Sequence, residues 1–571
     1  MELPKVGIVW EQGLMFYKFR AMMLLCCGLC AAVIFGTAGC SSEHYKTDAD
    51  KEVYKIINTK WRDSFGQKAN YTINDVPPSP NDVQIENAVP PSGVISLAQA
   101  AAMATAHNRD YQTQKEDLYL MALDLTLERH KFTAQWFGTF DSTYTRDRED
   151  ETLEHQSELG FNQMLADGAQ VSVSIAYDWM RYLTGDPRAS IGSVLSGTIT
   201  QPLLRGAGRK IAQENLTLAE RRALYQIRSF NRYRQEFVVS IVTDYYRTLQ
   251  RRDAVTNAES NYKRRVESRQ RLEMEADAGR TNRFEVDQAK QSELNAMDSY
   301  VRAQQNYQQA LDNFKIRLAL PTDANVELDQ NELKALENIG ISQPDYTVDT
   351  AVETGLTQRL DLATSMDRID DAVRRVMVAE DGLGAELDLI GGIGVGSTAP
   401  TDYDRLQFNR GTYSFGLGAN LPLDRKTERN AYRRALVELE RQQRQYENDA
   451  DTVKLDVRQA YRNLEQAAES YRIQKNSLDL AQKRVESTSL LLQAGRLTTR
   501  DLLESQDALV LAQNNVTAAL VDHAIAKLSF FRDIGILQVR PDGMWGQQES
   551  GSHDVGKTEN TEVPDPKLPN S

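Results

Sequence analysis

Cysteine is nearly absent from the chain of 571 residues, because its four cysteines all lie within the first 40 positions. Residues 41–571 therefore offer neither a disulfide framework nor a thiolate metal site. The six histidines lack the spacing of metal ligands, and no serine lies in a nucleophile elbow. We expect no enzyme activity, no cofactor and no bound metal, and the formal net charge of -14 disfavours nucleic acid as a partner.

Glycine and proline, the residues that most reliably interrupt helices, are missing from two long stretches of the chain. Residues 209–278 and 425–494 contain neither, and their apolar residues recur every three or four positions. This pattern predicts two coiled-coil helices, each about 105 Å long at a rise of about 1.5 Å per residue. Both stretches end in Ala-Gly-Arg, at 278–280 and 494–496. The matched lengths, seams and turns predict an internal twofold repeat.

The hydrophobic period changes to two residues in two regions, 137–204 and 387–421. Bulky apolar side chains alternate there with small or polar ones, for example over residues 171–177 and 413–421. The alternation fits transmembrane β-strands, although an ordinary sheet edge would share it. The first region has room for four strands and the second for two, which is too few to close a barrel. Several copies of the chain are expected to share one barrel.

Long hydrophobic runs are also rare, and the only one spans residues 21–39. Basic residues precede it and small residues end it, which predicts a cleavable export signal over residues 1–39, with Met15 or Met22 as the true start. The sequence Thr-Ala-Gly-Cys that ends at Cys40 resembles a bacterial lipobox, although Thr stands where Leu is usual. Acylated at Cys40, the chain would be anchored in a membrane. The alternative is that Cys40 is one more small residue near a cleavage site.

The sequence predicts the same order of elements twice: a shorter helix, strands, a long helix, a glycine turn and a descending helix. The predicted segments are an export signal at 1–39, an extended arm at 40–93, a first repeat at 94–320, an irregular linker at 321–349, a second repeat at 350–537 and a disordered tail at 538–571. Within the repeats the shorter helices are expected at 96–135 and 350–386, the strands at about 137–204 and 387–421, the long helices at 209–278 and 425–494, and the descending helices at 281–320 and 498–534.

This order resembles the TolC family of outer membrane efflux proteins over about residues 94–537. Gln-Pro-Leu-Leu at 201–204 and the Asp-Leu-Leu of 501–503 after the turn at Gly495 belong to the resemblance. It implies a mainly α-helical protein with a membrane β-barrel, in which three copies share one transmembrane barrel and form one long α-helical barrel in the periplasm. It also implies an exit duct in the outer membrane that docks onto a periplasmic adaptor (membrane fusion protein) and an inner-membrane pump.

The resemblance further indicates gate residues at the periplasmic entrance. In the family, carboxylates six and nine residues after the second turn glycine surround this entrance, and here those positions are Asp501 and Glu504. The equivalent positions after Gly279 are Glu285 and Gln288. In a trimer, each carboxylate that faces the lumen becomes a ring of three, which can hold cations and repel anions. The alternative is that these are solvated carboxylates in the first turns of a helix, where the helix dipole favours negative charge.

The tips of the two turns consist of Gly279 and Arg280 in the first repeat and of Gly495 and Arg496 in the second. Two interpretations are open for the tip arginines. They hold the entrance closed through salt bridges, or they serve solubility, since exposed ion pairs contribute little.

Two other classes of protein remain as alternatives. A periplasmic adaptor also has a coiled-coil hairpin behind an export signal, but it has one hairpin and no duplicated strand regions. A structural coiled-coil protein that forms filaments would explain the apolar seams but not the alternating strands. The exported cargo is left open, as is the question whether the acidic charge favours cations in the lumen.

Overall fold

The computed structural model describes residues 41–62, 65, 67–73, 93–148, 151–182, 189–341, 346–398, 402–541 and 543–547. The predicted export signal and Cys40 lie outside these residues. The chain divides into two units, Met1–Thr59 and Lys60–Ser571. The described part of the first unit, residues 41–59, contains most of one helix, and all other described elements belong to the second unit.

Helices make up most of the described residues, and the longest ones lie in the segments that lack Gly and Pro. In chain order the helices are α1 (Ser42–Lys60), α2 (Leu97–His107), α3 (Arg109–His130), α4 (Arg209–Ala212), α5 (Glu214–Asp277), α6 (Arg283–Arg317), α7 (Asn331–Ile339), α8 (Val348–Gln358), α9 (Leu360–Asp381), α10 (Lys426–Gln493) and α11 (Thr499–Asp533). Among the described residues, no helix is both long enough and apolar enough to cross a membrane.

Seven of the described strands lie between a shorter and a long helix. They are β2 (Gln135–Arg146), β3 (Glu151–Met164), β4 (Gln170–Tyr182), β5 (Ala189–Pro202), β7 (Glu386–Thr398), β8 (Asp402–Leu406) and β9 (Thr412–Asn420). The other described strands are short and lie elsewhere in the chain: β1 (Val94–Ile95), β6 (Glu327–Leu328), β10 (Leu537–Val539) and β11 (Trp545–Gln547).

Six long strands form one antiparallel sheet in the order β2-β3-β4-β5-β7-β9, and the short strand β8 pairs with the end of β7. The two halves of the chain meet in this sheet where β5 pairs with β7. At Gly160 in β3 the close approach of neighbouring strands requires glycine, because a Cβ there would lie 2.6 Å from the carbonyl oxygen of Val173 and 2.8 Å from the ring of Phe137.

The long helices pack side by side in the order α6, α5, α11, α10. Helices α5 and α11 therefore lie inside this row, while α6 and α10 lie at its two ends. The shorter helix α3 packs on α5, and α9 packs on both α5 and α10. The buried residues of α5 extend from Glu214 to Leu272, whereas those of α10 lie only between Val453 and Tyr471.

Three of the predicted irregular segments are wrong in part. The predicted extended arm at 40–93 contains α1, since residues 42–60 lack Gly and Pro and the prolines that suggested an extended arm all lie further along the chain. The predicted linker contains β6 and α7, and the predicted disordered tail begins with β10 and β11. Strand β6 pairs with β1, which lies far away in the sequence, so this strand could not be predicted from local composition.

Three predicted helices are also interrupted. The shorter helices expected at 96–135 and 350–386 each consist of two helices, with breaks at Asn108 and Arg359, where the backbone is extended. The side chain of Asn108 accepts a hydrogen bond of 3.0 Å from the amide of Tyr111 and so caps α3. The long helix expected at 209–278 begins as α4 and continues as α5 after Gln213.

Candidate functional site

The two glycine turns have the same geometry at the ends of α5 and α10. Gly279 and Gly495 have φ values of +72° and +68°, which glycine adopts without strain. The amide after each glycine reaches back to the last helical turn: Arg280 N donates to Glu275 O at 2.8 Å, and Arg496 N to Leu491 O at 2.9 Å. These bonds are those of the Schellman motif, which ends a helix and reverses the chain.

The descending helices α6 and α11 begin with polar caps. In α6 the side chain of Asn282 accepts a hydrogen bond from the amide of Glu285 at 3.1 Å. In α11 the carboxylate of Asp501 accepts hydrogen bonds from the amide and the hydroxyl of Thr498, at 2.9 and 2.6 Å. The hydrogen bond from the Thr498 hydroxyl is the main reason why the pKa of Asp501 is lowered from its ordinary value. Asp501 is therefore held by its own helix.

Glu285 joins the beginnings of the two descending helices. Its carboxylate accepts a hydrogen bond of 2.7 Å from the hydroxyl of Thr499, the first residue of α11, which is buried. The structure thus brings Glu285 next to the turn of α11 that carries Asp501. Among the described residues, the side chain of Gln288 takes part in none of the side-chain hydrogen bonds found at this site.

Two arginines reach the first turns of α11 from the neighbouring long helices. Arg484 of α10 forms an ion pair of 3.1 Å with Glu504, and both side chains are more than half exposed. Arg265 of α5 forms an ion pair of 2.5 Å with Asp507 and also donates to the carbonyl oxygen of Leu503 at 2.8 Å. Asp501, Glu504 and Asp507 form an acidic stripe on α11, because they follow one another at intervals of three residues.

The pair of Arg265 and Asp507 was missed in the sequence, although a signal was present. Arg265 and Arg484 begin matching Arg-Val-Glu-Ser segments in the two halves of the chain. The Arg265 side chain is 1% exposed, whereas Asp507 is 68% exposed. Burial lowers the pKa of Arg265, and the carboxylate of Asp507 opposes this shift. Periodicity alone could not identify the buried arginine, because charged residues occur all along both helices.

The tip arginines lie at the surface. Arg280 and Arg496 are exposed, as are Arg283 and Arg500, which flank the turns. Among the ion pairs recorded for the described residues, one involves these four arginines, an exposed pair of 3.2 Å between Arg283 and Asp277. Such pairs contribute little to stability.

The six-stranded sheet has one apolar face and one mainly polar face. The apolar face is rich in aromatic rings, and Trp136 packs against Phe161 with ring centroids 5.1 Å apart, while His155 stacks on Trp179 at 5.0 Å. By strand register the same face carries Tyr144, Leu153, Leu159, Val171, Val173, Ile175, Tyr177, Leu195, Ile199, Ile393, Val395, Tyr413, Phe415 and Leu417. This continuous surface is typical of strands that face lipid.

The opposite face is acidic. By strand register it carries Asp141, Glu154, Glu158, Asp178, Glu386 and Asp388. No Lys or Arg of the described strands β2, β3, β4, β5, β7 and β9 lies on this face. A surface of this kind attracts cations and repels anions.

Within the described part of the chain, the strands at both edges of the sheet and the helices at both ends of the row of long helices have no neighbour on their outer side. Among the described strands, β2 pairs only with β3, and β9 pairs only with β7. Exposed apolar residues continue this pattern on the end helices, with Leu294, Met297 and Val301 on α6 and with Leu455, Ile473 and Leu480 on α10. The spacings on each helix place these residues on one face.

Residues 352–531 match the family model described as outer membrane efflux protein. The matched segment runs from α8 through β7, β8 and β9 to the end of α11. For this segment, the match confirms the resemblance to outer membrane efflux proteins that was drawn from the sequence. No curated protein matches the chain.

Solved outer-membrane channels share the fold. The Campylobacter jejuni CmeC outer membrane channel is 14% identical, with a TM-score of 0.57 over 77% of this chain and 85% of that chain. The outer membrane protein VceC from Vibrio cholerae is 13% identical, with a TM-score of 0.57 over 77% and 96%. The MtrE outer membrane channel of Neisseria gonorrhoeae is 13% identical, with a TM-score of 0.54 over 77% and 88%. At these identities the likeness is one of fold.

Proposed function

We propose that three copies of the chain form an exit duct in the outer membrane of a tripartite efflux or secretion system. The strands would close into one transmembrane β-barrel, and the long helices into one tube that extends into the periplasm. A periplasmic adaptor and an inner-membrane pump are the proposed partners, and the proposed activity is passage of cargo rather than catalysis. The order of elements in the two halves supports a twofold internal repeat.

The proposal rests on the two unpaired edges of the sheet and the two uncovered ends of the row of long helices in the second unit. Strand β9 leads directly into α10, so one open end of the sheet and one open end of the helix row belong to the same part of the chain. The other open ends are β2 and α6. Unpaired strand edges are not tolerated in lipid, and an apolar helix face stays exposed only until a partner covers it. A ring of copies covers every open end with the opposite end of a neighbour.

The two-faced sheet supports a position in the membrane. Trp136 and Tyr144 lie eight residues apart on β2, which is about 26 Å along a strand at about 3.3 Å per residue. Tilted by about 40°, this length spans about 20 Å, close to the apolar band of about 25 Å in outer-membrane barrels. The acidic face would then line the lumen.

The gate and the lipid anchor are further parts of the proposal. Asp501, Glu504 and Glu285 are proposed to line the periplasmic entrance, next to the turn tips Gly279, Arg280, Gly495 and Arg496. The hydrogen bond between Glu285 and Thr499 of α11 supports this assignment, because it keeps the two descending helices together at the entrance. Cys40 is proposed to carry lipid. Labelled palmitate should enter the full chain and should be lost in Cys40→Ser.

Disruption of the α10 face tests the trimer. We expect the double variant Ile473→Asp and Leu480→Asp to abolish the trimer in native mass measurements and to abolish conductance in planar bilayers, because charged groups cannot be buried between helices without partners. The control Gln482→Asp changes an exposed residue on the opposite side of α10 and should leave both unchanged. A native chain that is monomeric and forms no channel would refute the proposed duct.

A further inference from the structure

The two halves of the chain contribute unequal numbers of strands to the sheet. Four long strands, β2 to β5, lie between α3 and α5, whereas β7 and β9 are the long strands between α9 and α10. The hairpin β4–β5 corresponds to β7–β9, because each pair ends at or within two residues of a Pro-Leu sequence that leads to a long helix, at Pro202 and at Pro422. Among the described residues of the second half, the hairpin β2–β3 therefore has no counterpart.

This additional hairpin is an integral part of the sheet. Strand β3 pairs with β4 along its whole length, from Thr152 opposite Tyr182 to Met164 opposite Gln170. Strand β4 pairs with β5 on its other side, so both of its edges are occupied. The apolar face also continues across β2 and β3 through Trp136 and Phe161. The hairpin thus meets the same requirement for a lipid-facing surface as the other strands.

We infer that all six long strands of each copy enter the shared barrel, which closes with eighteen strands, six from each of three copies. The inference rests on the proposed trimer. Strand β2 of one copy pairs with β9 of the next. Since β2 follows α3 and runs away from the helices, while β9 runs towards α10, the two edges meet antiparallel. The alternation of strand directions is therefore unbroken around the ring.

The additional hairpins widen the outlet and make it more acidic. At a strand spacing of about 4.8 Å and a tilt of about 40°, eighteen strands give a barrel radius of about 18 Å, whereas twelve would give about 12 Å. The hairpin also adds Asp141, Glu154 and Glu158 to the face that lines the lumen. The outlet therefore suits bulky, hydrated cargo that is neutral or cationic rather than anionic.

Cysteine cross-linking in the full chain tests the pairing of β2 with β9. The natural cysteines all lie at or before Cys40, so introduced cysteines react with one another. Thr139→Cys or Thr143→Cys on β2 is combined with Ser414→Cys or Gly418→Cys on β9, and a reagent that spans about 8 Å is added. Within one copy these strands lie five strand spacings apart, about 24 Å, so only different copies can be linked. Covalent dimers and trimers are expected.

The control replaces the β2 cysteine by Ser172→Cys on β4, which should give no links between copies. A native trimer without links between β2 and β9, whichever other strands are linked, would overturn the inference and leave the proposed duct intact. A chain that forms no trimer at all would refute the proposed function itself.

Removal of the hairpin gives a second measurement. Deletion of residues 135–164 joins Ala134 to Leu165, and the ends already meet, since Met164 N donates to Lys131 O at 3.4 Å. A trimer of this variant should exclude smaller polyethylene glycols from its outer opening than the full chain does. An equal exclusion size would show that β2 and β3 do not form part of the barrel wall, whereas failure to fold leaves the cross-linking result to decide.

Discussion

Helices α5 and α10 lie in stretches that equally lack Gly and Pro, but they differ in what covers them. Helix α5 lies between α6 and α11 and has buried residues along almost its whole length. Helix α10 packs on α11 at one end of the row, and none of its described residues before Val453 is buried. The same helical design thus serves as an interior element in one half and as an outer surface in the other.

The matched arginines show the same difference at the level of one side chain. Arg265 is buried between α5 and α11 and bonds to a backbone carbonyl as well as to a carboxylate, whereas Arg484 makes one exposed ion pair. The position of the helix in the row therefore decides how much the matched arginine contributes to stability. Sequence similarity between the halves does not reveal this difference.

The largest difference between the two halves is expected when these two arginines are replaced and the free energy of unfolding is measured. Arg265→Ala should lower the free energy of unfolding by about 2–3 kcal/mol, because it removes a buried side-chain hydrogen bond to the carbonyl of Leu503 and opens a cavity. Arg484→Ala should cost less than about 1 kcal/mol, as is usual for an exposed pair. Urea-induced unfolding of the purified protein measures both. Equal losses would contradict the assignment of interior and surface roles.

Replacement of the turn glycines by Ala should destabilise both halves equally, because the two turns have the same backbone geometry. An Ala side chain at position 279 or 495 would meet no atom within 4 Å, so only its backbone conformation is unfavourable. Gly279→Ala and Gly495→Ala should each cost about 1 kcal/mol in urea-induced unfolding. Gly416→Ala in β9, which also has open space and no positive φ, is the control. A clear difference between the two turns would show that a further contact holds one of them.

The carboxylates of the sheet test the additional hairpin of the first half. The triple variant Asp141→Asn, Glu154→Gln and Glu158→Gln should lower the ratio of cation to anion permeability by about two- to threefold, because these charges line the proposed lumen. The second-half variant Glu386→Gln and Asp388→Asn removes fewer charges and should have a smaller effect. Reversal potentials across a salt gradient measure the ratio. An unchanged ratio in both variants would place these carboxylates away from the path of the ions.

The smallest expected effect is the contribution of Asp501 to the pH dependence of stability. Its pKa is lowered in the folded chain by the hydrogen bond from Thr498, so its contribution to stability is present above the unfolded pKa of about 3.9 and is lost as the pH falls through the folded value. The unfolding temperatures of the native protein and of Asp501→Asn should differ slightly at pH 7, and the difference should shrink steadily as the pH falls below about 4. Glu504→Gln, outside the capping motif, is the control. A difference that does not shrink below about pH 4 would mean that the Asn side chain acts by another route.

Much of the fold could be predicted from residue types that are absent. The lack of Gly and Pro located α5 and α10, and the period of two residues located the strands near positions 137–204 and 387–421. Features that depend on contacts between distant segments were missed. Strand β6 exists because it pairs with β1, and the burial of Arg265 depends on α11, which lies far along the chain.

The candidate gate illustrates the same limit. The sequence could indicate Asp501, Glu504 and Glu285 through a family resemblance, but it could not tell which partners hold them. Asp501 is fixed by Thr498 in its own helix, whereas Glu285 reaches Thr499 in the other half of the chain. Only the packing of α6 against the beginning of α11 makes the second contact possible.

The open edge of β2 has a consequence for biogenesis. If a single copy entered hydrocarbon, this edge of 12 residues would expose about six N–H and six C=O groups without partners, each at a cost of several kcal/mol, because the other edge of β2 is paired with β3. We therefore expect that single copies do not insert into the membrane one after another. In the proposed assembly, the sister chains would have to meet before or during their passage into the bilayer, so that oligomerisation and insertion happen as one concerted event.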